Sequence, residues 1–80
     1  MIIEIARGHI KLSIDGKNLT VDCEAYLPGH GSPDLVIYKN SIKVWDKPFD
    51  NIIIEDNEKN KILDDLVQEL YVKNIKASIE

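Results

Sequence analysis

His30, Ser32 and Asp34 bring the three side-chain types of a nucleophilic triad into one short stretch. A triad needs its groups to converge in order within hydrogen-bond reach, and closeness along the chain does not supply that. The strained G-x-S-x-G elbow that lifts a nucleophilic serine is absent as well. The same stretch holds Gly29-His30-Gly31, two glycines of a phosphate-binding loop. Such a loop requires a third glycine and a helix opening directly after it, whereas Pro33 and an apolar run follow here. The two histidines, His9 and His30, supply the types for a metal site but lack any ligand spacing on a common helix. Asp64 and Asp65 are adjacent, and adjacent helical residues point about 100° apart, so they share no pocket for acid–base work. Cys23 is the only cysteine, which excludes an internal disulfide and a multi-cysteine zinc centre. The expectation is therefore a protein with no catalytic residue, no cofactor and no metal.

One constellation fits a different chemistry, that of recognition. Trp45, Asp46, Pro48, Phe49 and Asp50 form the stretch WDKPFD. Large aromatic rings beside acids suit a protein interface, where Trp and Tyr are frequent anchors. In a small domain the same rings also serve as core, and both roles are compatible if the rings turn inward and the carboxylates outward. Between Asp46 and Glu69 there are eight acids and three bases, an excess larger than the net charge of −4 of the whole chain. Such a stretch repels phosphate backbones and attracts basic protein surfaces. The chain also has only five aromatic residues, Tyr26, Tyr38, Trp45, Phe49 and Tyr71, with no RNP-like set to stack bases. Nucleic acid is not the expected partner.

The elements that must position these residues are short. At 80 residues and 44% apolar composition, one thin-cored domain is expected over residues 1–80. The apolar start MIIEIA is too short for a signal peptide or a spanning helix, so no membrane and a cytoplasmic location are expected. Residues 2–6 alternate weakly as a strand. From His9 to Asp15, Ile10, Leu12 and Ile14 share one face. Asp15-Gly16 is a hairpin signal, because these types tolerate the positive φ of a primed turn. The next strand is predicted over about 19–27, with Leu19, Val21, Cys23 and Ala25 inward and Thr20, Asp22, Glu24 and Tyr26 outward. Pro28 and Pro33 fence the glycine loop as a chain reversal. Residues 34–38, DLVIY, are apolar on both faces and fit a central strand covered on each side. Residues 42–46 form a further strand or short edge, which Pro48 ends. The run IIIE at 52–55 is either a strand or the approach to a helix.

The helix is the strongest periodic signal. Ile62, Leu63, Leu66, Val67, Leu70 and Tyr71 recur at helical spacing between Asp56 or Asn57 and about Lys73. Asp56 or Asn57 is the expected cap, and Lys73-Asn74 the expected stop. Glu58, Lys61, Asp65 and Glu69 lie on its polar side. Residues 75–79 alternate again and should rejoin the sheet. The fold class is α+β: an antiparallel sheet of about five or six short strands, one helix in the C-terminal half packed on one face, and a final strand. An open edge at 42–46 is available to a second copy, so a monomer or weak homodimer is expected.

Taken together, Arg7-Gly8, Asp15-Gly16, EAY at 24–26, Gly29, Gly31-Ser32-Pro33, IY at 37–38, Ser41-Ile42, Trp45-Asp46 and Pro48-Phe49, followed by an acidic segment, a helix and a short strand, resemble the immunity protein 74 family of bacterial polymorphic toxin systems. The resemblance spans nearly the whole chain. It implies a small cytosolic protein, not an enzyme, that binds the toxic domain of an effector delivered from cell to cell and blocks its active site. A toxin that acts on nucleic acid carries a basic cleft, which an acidic face complements. Asp46, Asp50, Glu55, Asp56 and Glu58 are the expected charged rim, with Tyr26, His30 and Trp45 as anchors. The competing expectations are a small nucleic-acid-binding or adaptor module, and a small enzyme that uses His30 or His9.

Overall fold

The computed structural model describes residues 1–26 and 34–80. Five strands form one sheet in the order of the chain: β1 (Ile2–Ile5), β2 (His9–Ile14), β3 (Lys17–Ala25), β4 (Leu35–Ile37) and β5 (Ala77–Ile79). A single helix, α1 (Asp56–Val72), lies between β4 and β5. The class is α+β, as the sequence pattern predicts, and the helix and the final strand stand in the predicted order.

β2 and β3 pair through Asp15 and Gly16, whose φ values of 51° and 80° are the double left-handed turn expected of Asp-Gly. Their register places Ile10 opposite Val21 and Leu12 opposite Leu19, all fully or almost fully buried. The expected inward set of β3 holds for Leu19, Val21 and Cys23, whereas Ala25, at the strand end, is exposed. In β4, Leu35, Val36 and Ile37 are all buried, so both faces of this strand are covered.

The sheet is mixed. β1, β2, β3 and β4 are joined antiparallel, but β5 runs parallel to β4, with Leu35 opposite Ala77 and Ile37 opposite Ile79. The reason is the crossover: a helix carried between two neighbouring strands returns the chain to its starting end, and the next strand then points the same way. Alternation within single strands carries no information on that direction.

α1 presents Ile62, Leu63, Leu66 and Leu70 to the sheet. Neither Asp56 nor Asn57 caps it. The cap position is Glu55, whose side chain makes no capping bond, while Asp56 and Glu58 occupy the first turn and complement the helix dipole. At the other end Asn74 adopts φ 64° and ends the helix as expected.

Residues 42–46 do not form a strand. β3 is nine residues long, and β4 pairs only with Cys23, Glu24 and Ala25. The segment after β4 closes the rest of that open edge with single contacts. Tyr38 N donates to Asp22 O at 3.0 Å, Asp22 N donates to Ser41 Oγ at 3.0 Å, and Asp46 N donates to Asn18 O at 2.8 Å. Contacts this far apart satisfy the edge without a ladder. The approach to the helix folds back on the same segment: Val44 bridges Ile53 antiparallel, and Ile54 N donates to Lys43 O at 2.9 Å.

Candidate functional site

The acidic segment and WDKPFD meet at the hairpin end of the sheet. Trp45 is 2% exposed and belongs to the main core with Ile42 and Ile54. Lys17 Nζ stands 5.0 Å from the centre of its ring, over the face that the core leaves open. Of the two roles the sequence allows for Trp45, its burial shows that of core filling: so few large side chains are present that the only tryptophan is used in the interior. Phe49 is half-buried against the same core. The rings turn inward, and what they leave outside is charge.

Asp46 is half-buried, and Thr20 Oγ1 donates to its Oδ2 at 2.8 Å. Asp50, Glu55, Asp56 and Glu58 are exposed, along the segment that leads into α1 and through its first turn. Helical spacing places Glu58, Lys61 and Asp65 along one flank of the helix, which faces the β2–β3 turn. Between flank and turn runs an open cleft of about 270 Å³. Met1, Ile14, Trp45 and Ile62 form its apolar lining, and Asp15, Glu58, Lys61 and Asp65 its polar one. One turn further on, Glu69 leans toward β1, where it accepts from Ile2 N at 3.3 Å and lies 3.9 Å from the Met1 amino group. Carboxylates from two distant parts of the chain, Asp15 on the turn and Glu58 and Asp65 on the helix, thus line one cleft, with Lys61 between them.

Tyr26 stands elsewhere. It follows the last residue of β3, eight residues beyond Asn18 where Asp46 docks, or about 26 Å along an extended strand. It is 42% exposed, and both its hydroxyl and that of Tyr38 donate to Glu24 Oε2, at 3.3 Å and 2.7 Å. The Glu24 carboxylate favours the neutral phenol, and the pKa of Tyr38 is pushed up to about 12. This outer face of the sheet offers two fixed aromatic rings around one charge, but not next to the acidic end. His30 lies outside the described residues. His9 is half-buried on β2, and its Nε2 is 2.9 Å from Glu4 Oε2, a contact that lowers the Glu4 pKa. Among the described residues Glu4 is the only side chain that His9 contacts in this way.

Two residues that the sequence pattern does not single out stand at the acidic segment, Val44 just before Asp46 and Ile53 between Asp50 and Glu55. Val44 is 39% exposed and Ile53 72% exposed, side by side across their bridge. A signal existed: three successive isoleucines at 52–54 in extended chain cannot all face one core. Among the described residues no group of His, Cys, Asp and Glu is placed to hold a metal ion, and no helix is long and apolar enough to cross a membrane.

No curated protein and no solved structure matches this chain. The family described as Immunity protein 74 matches residues 2–80, which takes in every strand, the helix and the acidic end, and the chain belongs to that family.

Proposed function

We propose that this protein neutralises the toxic domain of a cognate effector by stoichiometric binding, without catalysis, and that its acidic end lies over the toxin's active site. The observation that carries this is an apolar-lined cleft where Asp15 from the β2–β3 turn meets Glu58 and Asp65 of α1, with Asp50, Glu55 and Asp56 exposed along the segment and first turn that lead to Glu58. An apolar centre with a charged rim is the common anatomy of a specific interface. The sign of the rim suits a toxin with a basic cleft, such as one that acts on nucleic acid, and repels nucleic acid itself. Opposite charge speeds the encounter and disfavours wrong partners, while buried contacts set the residence time. The family to which the chain belongs supports the same role. The protein acts in the cytoplasm of the producing cell, as a monomer or weak homodimer.

The experiment is to mix the purified protein with the toxic domain encoded by the adjoining gene. A one-to-one complex at micromolar concentration, with loss of toxic activity, is the expected result. Unchanged activity and separate elution would remove the proposal.

A further inference from the structure

The fold needs the backbone of the Val44–Ile53 bridge but not its side chains. Ile54 N donates to Lys43 O, and Trp45 and Ile54 turn into the core at 2% and 5% exposure. Their neighbours Val44 and Ile53 must then turn outward, since side chains alternate along extended chain. A polar β-former such as threonine would satisfy the bridge equally well. Instead two branched aliphatic side chains stand in water, with Ile52 beside them at 41% exposure. The buried residues behind them hold the pair in place, so little freedom is lost when it is covered. Charge surrounds it unevenly: from Lys43 to Glu58 there are five acids and two bases.

From this we infer that Val44 and Ile53 are the apolar anchor of the toxin interface, taking the place that sequence pattern assigns to Trp45. The inference rests on the proposed function and goes further, because it states what the toxin must present. Its surface has an apolar notch wide enough for a valine–isoleucine pair, framed by lysine or arginine side chains that meet Asp50, Glu55 and Asp56. A second copy of this chain fits less well. A two-fold contact places the same patch against itself, so an acid-rich rim would face an acid-rich rim.

The test compares three forms against the toxic domain encoded next door: the natural chain, Ile53→Ala, and the double variant Val44→Glu with Ile53→Glu. Titration calorimetry reads affinity, and thermal unfolding confirms that each variant is folded. The expected result is binding about tenfold weaker for Ile53→Ala and at least about a hundredfold weaker for the double variant, the range seen when interface anchors are lost. Wild-type affinity in the folded double variant would overturn the anchor and leave the proposed function standing. Failure of the natural chain to bind would overturn both. A homodimer of the natural chain, seen by sedimentation and dissolved by Ile53→Ala with toxin affinity unchanged, would also overturn it, by showing that the ridge serves self-association.

Discussion

Thr20 and Asp46 are joined by a hydroxyl–carboxylate hydrogen bond of 2.8 Å, from the middle of β3 to the segment that closes its open edge. The Asp46 backbone docks on the same strand through Asn18 O. Asp46 is thus acidic by composition but structural by position, and it differs from the exposed acids that follow it.

That difference is measurable. Asp46→Ala should cost stability, about 1–3 kcal/mol for a half-buried hydrogen bond to a charged group, seen in urea unfolding. It should change toxin affinity little. Reversing Asp50, Glu55 and Asp56 to lysine should do the opposite: stability nearly unchanged and association about tenfold slower or more, with the natural protein's rate advantage fading as salt rises. An association rate indifferent to both the reversal and the salt would remove the electrostatic part of the account.

Trp45→Ala deletes the largest side chain of a small core. The expected loss is about 3–5 kcal/mol, a large fraction of what a domain this size possesses. Chemical denaturation should show a markedly lower midpoint, or no cooperative transition at all. A midpoint within the experimental error of the natural chain would contradict the placement of the ring.

Tyr38 provides a spectroscopic check of the outer sheet face. Its folded pKa, about 12, lies above the ordinary tyrosine value of 10.0, so the bond to Glu24 stabilises the fold fully below about pH 10. That contribution is lost as pH rises through about 12, where the phenol ionises in the folded state. Ultraviolet titration of the natural chain should show Tyr38 ionising late, with Tyr26 also raised, by desolvation and by Glu24, and Glu24→Gln should bring Tyr38 down toward the ordinary range. A late step that survives Glu24→Gln would assign the shift to another cause.

Cys23 is buried at 5% exposure, its Sγ 3.8 Å from Ala6 O, and burial together with the Asp22 charge raises its thiol pKa. Alkylation of the native protein should be orders of magnitude slower than of a free thiol and should accelerate in urea along the unfolding curve. Rapid labelling without denaturant would mean that β3 is open in solution.

The strands and the helix were legible in the sequence because each rests on local periodicity. Alternation at 9–14, Asp-Gly at 15–16 and the spacing of Ile62, Leu63, Leu66 and Leu70 are properties of a few neighbouring residues. The helix cap was misplaced because Ser, Thr, Asp and Asn are only preferred at that position, and here Glu55 stands there without a capping bond. The candidate site was half legible. Composition marks 46–69 as acidic, but nothing along the chain separates Asp46, held by Thr20, from Asp50, which is exposed. Nor does it reveal that Asp15 joins Asp65 across a cleft while Tyr26 stands about 26 Å along β3 from Asn18.

By itself the sequence determined the α+β class, the hairpin, the helix and the presence of an acid-rich segment, since each follows from short-range pattern and composition. The parallel docking of β5, the choice of core for the Trp45 ring and the outward turn of Val44 and Ile53 came from the folded arrangement. Those depend on which surfaces meet once the chain closes around one small core, and contacts between residues distant in sequence leave no local trace.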